Sequence, residues 1–98
     1  MSGQFRMTPD MMRTRAGEVN NQGQEYENVI NRMQNIINEL QTEWEGKASR
    51  SFYDQFEALK PSFNKMRELF VDLSTQLNQT ADAVQQMDEH IANQFGVR

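Results

Sequence analysis

The sequence has no cysteine, a single histidine (His90) and only two prolines in 98 residues. Without thiols there is no disulfide framework, no thiolate nucleophile and no cysteine zinc site. One imidazole leaves little material for a histidine metal centre or a nucleophile-histidine-acid triad. Long apolar runs are also missing. Hydrophobic residues make up 37% of the chain, and Asn, Gln or a charge interrupts every stretch well short of the roughly 20 residues that cross a bilayer. The opening Met1-Ser2-Gly3-Gln4-Phe5-Arg6-Met7 holds no continuous apolar segment that could form a signal-peptide core, which argues against ordinary signal-directed export and for a soluble protein. Positive charge is scarce as well, with 10 basic against 14 acidic side chains and a formal net charge of -4. Arg13 and Arg15 are too few for a nucleic-acid footprint, so no nucleic-acid partner is expected.

What the sequence does contain is periodicity. From Met12 the apolar or small positions run Ala16, Val19, Gly23, Tyr26, Ile30, Met33, Ile37, Leu40 and Trp44, with gaps alternating between four and three. A second run takes Phe52, Phe56, Leu59, Phe63, Met66, Phe70, Leu73, Leu77, Thr80, Val84, Met87 and Ile91 through the same alternation. Both are heptad seams, and the abundant Asn and Gln fall between seam positions instead of forming polar tracts. Between them lies Trp44-Glu45-Gly46-Lys47, where Gly46 suits the left-handed conformation that ends a helix and reverses the chain. Thr8, Pro9 and Asp10 supply a cap, a first helical residue without a donor, and an acid at the positive end of the dipole.

These signals predict one all-α domain over residues 1–98, an antiparallel helix-turn-helix hairpin. Helix one covers about 9–43, the turn 44–47, helix two about 48–91, and a flexible tail 92–98. Pro61 predicts a kink near Ala58 to Pro61. Folding about Gly46 pairs residues whose numbers add to about 92, which leaves the segment after about Met87 without cover from helix one. Val29, Ile36, Tyr53 and Leu69 widen the apolar stripe beyond what one facing helix covers. A chain this short, without a covalent staple, is therefore expected to pair, and a dimer would form a four-helix bundle. The expected core and dimer residues are Val29, Ile30, Met33, Ile36, Ile37, Phe56, Leu59, Phe63, Met66 and Phe70. If the rods pair antiparallel, the loop end of one chain lies beside the overhanging tail of the other, uniting Trp44 and the C-terminal residues in one composite patch.

Trp44-Glu45-Gly46, centred between two long helices in a chain of about one hundred residues, resembles the WXG family, the ESAT-like small secreted proteins of the bacterial type VII secretion system. The resemblance runs from Met7-Thr8-Pro9 to Phe95-Gly96. A second match lies at the C terminus, where Val84, Asp88, Ile91 and Phe95 have the spacing of the family's export signal. Offsets of four, seven and eleven put these residues on one helical face, with an acid inside an apolar stripe. Val84 stands where the mycobacterial signal usually has Tyr, which is similar to the Gram-positive Firmicutes form. Asp88 beside Glu89 near a helix C terminus is also unfavourable toward the dipole, which suggests a reason for the acid other than structure.

The structural alternative stands beside each of these readings. Trp44 can plug the end of the seam while Gly46 makes the turn, a role compatible with recognition. Val84 and Ile91 can be seam residues, Asp88 solvated and Phe95 a loose end. Glu43 and Glu45 have no acid-base partner type near them and read as a solvated pair. The methionines at 7, 11, 12, 33, 66 and 87 read as core or interface filler.

The resemblance implies a non-enzymatic secreted substrate without catalytic, metal or cofactor residues. It would be a homodimer, or a heterodimer with another WXG-type protein or a toxin leader, recognised by the type VII membrane ATPase through the C-terminal signal. It would be made in the cytoplasm of a Gram-positive bacterium and released without a cleavable signal peptide. Contributions to virulence, to the export of other substrates and to action on host membranes belong to the same implication. The alternative within secretion is an adaptor that pairs with the helical leader of a larger exported toxin. The alternative outside it is a cytoplasmic scaffold that shares the hairpin by convergence.

Overall fold

The computed structural model describes residues 7–44 and 46–94. Two helices make up almost all of it, α1 over Pro9–Glu43 and α2 over Lys47–Gln94. Thr8 starts α1: its backbone is extended and its Oγ1 accepts a hydrogen bond from the Met11 N–H at 3.1 Å. Such a cap stabilises a helix by about 1 kcal/mol, because it satisfies a donor with no partner within the helix. Pro9 occupies the first helical position, where a missing N–H costs nothing, and Asp10 sits in the first turn.

The reversal works differently from the sequence expectation. Helix α1 ends at Trp44, whose extended backbone (φ -137°, ψ 93°) leaves the helix while its N–H still donates to the Leu40 carbonyl at 2.9 Å. Gly46 is not the residue that terminates α1; it opens α2. Its carbonyl accepts the Arg50 N–H at 3.3 Å and the Ser49 hydroxyl at 3.1 Å. Its φ of +152° lies where a side chain is strained, at a cost on the order of 1–3 kcal/mol. Lys47 already belongs to α2, so the turn is shorter than the expected 44–47.

At the other end α2 continues to Gln94, three residues past the expected Ile91. Residues 92–94 are helical and not part of a tail, since no glycine or proline interrupts the chain before Gly96. Residues 95–98 of the expected tail lie outside the described residues. Pro61 sits inside α2, and the chain stays helical through the Ala58 to Pro61 segment where a kink was expected.

The two helices pack along the seams at close to the expected register. Gln41 meets Ser49 and Tyr26 meets Phe63, while Glu27 reaches Arg67 and Arg13 reaches Asp82. The helices approach closely at Gly23: a Cβ there would lie 3.1 Å from the Phe70 Cβ. Aromatic rings fill the middle, with Tyr26–Phe70 centroids 5.5 Å apart and Phe56–Phe63 centroids 5.2 Å apart. The result is a rod of 75 × 25 × 17 Å.

Little of the rod is interior. Among the described residues the buried apolar side chains are Ala16, Ile37, Phe56 and Ala81. Val29, Met33 and Ile36 on α1 and Leu59, Met66 and Leu73 on α2 remain exposed. Their helical offsets from the α1–α2 contact place both sets on the same side of the hairpin. The opposite side carries the cross-helix polar pairs, Arg67 with Glu27 and Arg13 with Asp82 and Gln85. Helix α2 has 48 residues against 35 for α1, so among the described residues its C-terminal end, beyond the contacts of Arg13 with Asp82 and Gln85, extends past the start of α1.

Candidate interaction surfaces

Three features of the rod can carry function: its loop end, its apolar side and the overhang of α2. At the loop end the chain leaves α1 in an extended conformation at Trp44, so the indole projects beside the start of α2. The ring packs tilted on Phe52 with centroids 6.2 Å apart, and it remains 48% exposed. Ser49 organises the turn beneath it. This serine is buried, its hydroxyl donates to the Gly46 carbonyl, and its own carbonyl accepts the Gln41 amide at 2.5 Å. Gln41 and Ser49 were not singled out from the sequence. The available signal was a small polar residue three positions after the turn glycine, where a capping hydroxyl reaches back to the backbone.

On the apolar side the ten expected core and dimer residues divide by face. Ile37 and Phe56 are buried, and Ile30, Phe63 and Phe70 are half-buried between the helices. Val29, Met33, Ile36, Leu59 and Met66 are the exposed ones. The polar side is pinned by the Arg67 guanidinium, which donates to both Glu27 carboxylate oxygens, at 2.5 and 3.0 Å. The hydrogen bond to Glu27 raises the Arg67 pKa above its usual value, and an arginine so placed stays charged at any accessible pH. This pair lines an open groove of about 270 Å³ with Gly23, Phe70 and Val71.

Toward the C-terminal end of α2, Val84 is half-buried beside the Arg13 contacts, while Asp88 and Ile91 are exposed further along a continuous helix. Phe95, the fourth residue of the expected signal, lies outside the described residues, as does Glu45 of the central triplet. Met87 is the most exposed large apolar side chain of this segment at 62%. Within one chain Trp44 and Asp88 sit at opposite ends of the rod, about 60 Å apart along α2 at 1.5 Å per residue, so a single hairpin does not unite them. Among the described residues no group of three or more His, Asp or Glu side chains is placed to hold a metal ion, and no helix is long and apolar enough to cross a membrane.

A slender hairpin with an aromatic-X-glycine reversal, an apolar side and a projecting C-terminal helix defines a small helical interaction protein. The family described as "Proteins of 100 residues with WXG" matches residues 4–89. Protein YukE of Bacillus subtilis (strain 168) is 43% identical over 95 residues, covering 97% of this chain and 98% of that protein. The type VII secretion system extracellular protein A of Staphylococcus aureus (strain USA300) is 30% identical over 94 residues, covering 96% and 97%. The crystal structure of Geobacillus thermodenitrificans EsxA superposes with a TM-score of 0.82 at 34% identity, covering 94% of this chain and 99% of that one. The chain belongs to the WXG100 family.

Proposed function

We propose that this protein is a non-enzymatic substrate of a type VII secretion system, exported as a folded helical dimer and recognised by the system's membrane ATPase through Val84, Asp88, Ile91 and Phe95. The observation that carries the reading is the exposure of Asp88 and Ile91 on a helical segment that projects beyond α1. A receptor groove can read an acid flanked by apolar side chains on one helical face without unfolding the hairpin. The Staphylococcus aureus relative, named as an extracellular protein of that secretion system, supports the same destination here. Relatives in Bacillus and Staphylococcus support a Gram-positive source.

The dimer follows from the apolar side. Val29, Met33, Ile36, Leu59, Met66 and Leu73 form a contiguous stripe that a second hairpin would cover, giving a four-helix bundle. In an antiparallel pair the half-exposed Trp44 of one copy lies near the overhang of the other, and Trp44, Gly46 and the C-terminal signal make one composite patch. In a pathogen the exported dimer would contribute to virulence and support the export of other substrates. The same apolar side fits the adaptor reading, in which the helical leader of a larger toxin takes the place of the second copy.

Culture supernatants test the proposal. The protein is expected in the medium of cells with an intact system and confined to the cells of a strain lacking the membrane ATPase. Equal release from both strains would overturn it.

A further inference from the structure

With no cysteine in the chain, every sulfur atom is a methionine thioether, and thioethers are then the sulfur groups that an oxidant meets. Two of the seven methionines lie within the apolar side of the rod. Met33 sits on α1 between Val29 and Ile36, and Met66 sits on α2 seven residues from both Leu59 and Leu73. Met33 is 40% exposed and Met66 41%, so both side chains are open to a small oxidant in the single hairpin. Met7, Met11 and Met87 are exposed as well, but they lie toward the open end of the rod, outside the run of Val29 to Ile36 and Leu59 to Leu73.

A thioether suits an apolar contact surface because it is unbranched, polarisable and adaptable. One added oxygen changes that. When a hydroperoxide reacts with it, a sulfur lone pair attacks a peroxide oxygen, the O–O bond breaks, and the departing hydroxide takes the proton of the transferred oxygen and leaves as water. The sulfur is oxidised by two electrons and hydrogen peroxide is reduced to water. The resulting sulfoxide is polar and its oxygen accepts hydrogen bonds, whereas the flanking Val29, Ile36, Leu59 and Leu73 carry no side-chain donor. In water that oxygen is solvated, but enclosed among aliphatic groups it loses its hydrogen bonds and penalises the contact.

We infer that Met33 and Met66 form an oxidation site through which a hydroperoxide switches pairing off: the unpaired hairpin offers both sulfurs, and once they carry oxygen the apolar side no longer closes against a second copy. The site rests on the dimer reading above and adds to it a chemical condition under which the pair separates. Because pairing covers the sulfurs, oxidation draws on the unpaired fraction and runs faster in dilute protein. Methionine sulfoxide reductases reverse it, with a thiol reductant supplying two electrons per sulfur and the oxygen leaving as water.

Sedimentation equilibrium of the full-length chain before and after hydrogen peroxide tests the site, with peptide mass spectrometry to locate the added oxygens and circular dichroism to establish that the chain remains helical. Oxidation is expected to raise the dimer dissociation constant at least about 100-fold, because a pair would enclose two sulfoxide oxygens from each copy. Met33→Leu with Met66→Leu keeps the stripe apolar at nearly the same volume. After the same treatment this variant should stay within about threefold of its unoxidised constant, although its other methionines are oxidised. Met33→Gln with Met66→Gln places polar groups at both positions without an oxidant and should weaken pairing about tenfold or more. A chain carrying both sulfoxides that pairs as before overturns the inference. A leucine variant that separates on oxidation as the starting protein does, or a glutamine variant that pairs as tightly, also overturns it. An unmodified chain that stays monomeric at all concentrations overturns the dimer reading and the site with it, whereas a dimer indifferent to the two sulfoxides overturns the site alone.

Discussion

Replacing Asp88 with alanine is expected to abolish release of the protein into the medium while leaving its helicity and dimerisation largely intact. Asp88 is exposed on the part of α2 that extends past α1, so its removal empties no core. The fold would change little, because surface substitutions away from caps and cores shift stability by about 0.5 kcal/mol or less. The loss of an acid near a helix C terminus is also mildly favourable toward the dipole. Recognition is different, because a charged group that a receptor has desolvated and paired is worth about 2–5 kcal/mol when one partner is truncated. A loss of that size lowers receptor affinity by at least tenfold. Quantifying the protein in supernatant and cells, alongside far-ultraviolet circular dichroism of the purified variant, checks both halves. Normal secretion of the variant would remove the C-terminal segment as the signal.

Trp44→Ala is the second large effect. In the folded chain the indole packs on Phe52 and remains half-exposed. An aromatic pair of this kind contributes about 0.5–1.5 kcal/mol beyond its burial. The loop end should therefore loosen while most of α1 and α2 persists, and thermal melting should shift by several degrees, as a loss near 1 kcal/mol does in a domain of this size. Export should fall much further than helix content does, because in the proposed composite patch the exposed face of the indole is what a receptor would reach. If the variant is secreted at the normal level, the patch plays no part in recognition.

Much of the architecture was legible in the sequence because heptad seams encode both which face is buried and how two helices align. Thr8-Pro9-Asp10 marks the helix start chemically, and Val84, Asp88 and Ile91 share one helical face because a spacing of four and three is a helical face, with Val84 half-buried and the other two exposed. The role of Gly46 was not legible. A glycine in a reversal can close the helix before it or open the helix after it, and only the dihedral angles at Trp44 and Gly46 distinguish the two. The end of α2 was set too early because Ala92, Asn93 and Gln94 carry no stop signal of their own. The polar contacts that pin one side, Arg67 on Glu27 and Arg13 on Asp82, depend on which residues of distant helices come level. The same holds for the close approach of Gly23 to Phe70. A one-dimensional pattern gives that level only to within a turn.

The exposed side is what ties the fold to the proposed function. Among the described residues no large side chain is fully enclosed, and large apolar ones including Val29, Met33, Ile36, Leu59, Met66 and Leu73 line one side of the hairpin. An isolated rod of this kind is left with an uncovered stripe, and pairing removes it from water at about 25 cal/mol per Å² of apolar surface. The mass of the purified full-length chain in solution, by sedimentation equilibrium, tests this most directly. The account predicts twice the chain mass of 11.5 kDa at micromolar concentration with no other protein present. A stable, fully helical species at the single-chain mass would contradict it.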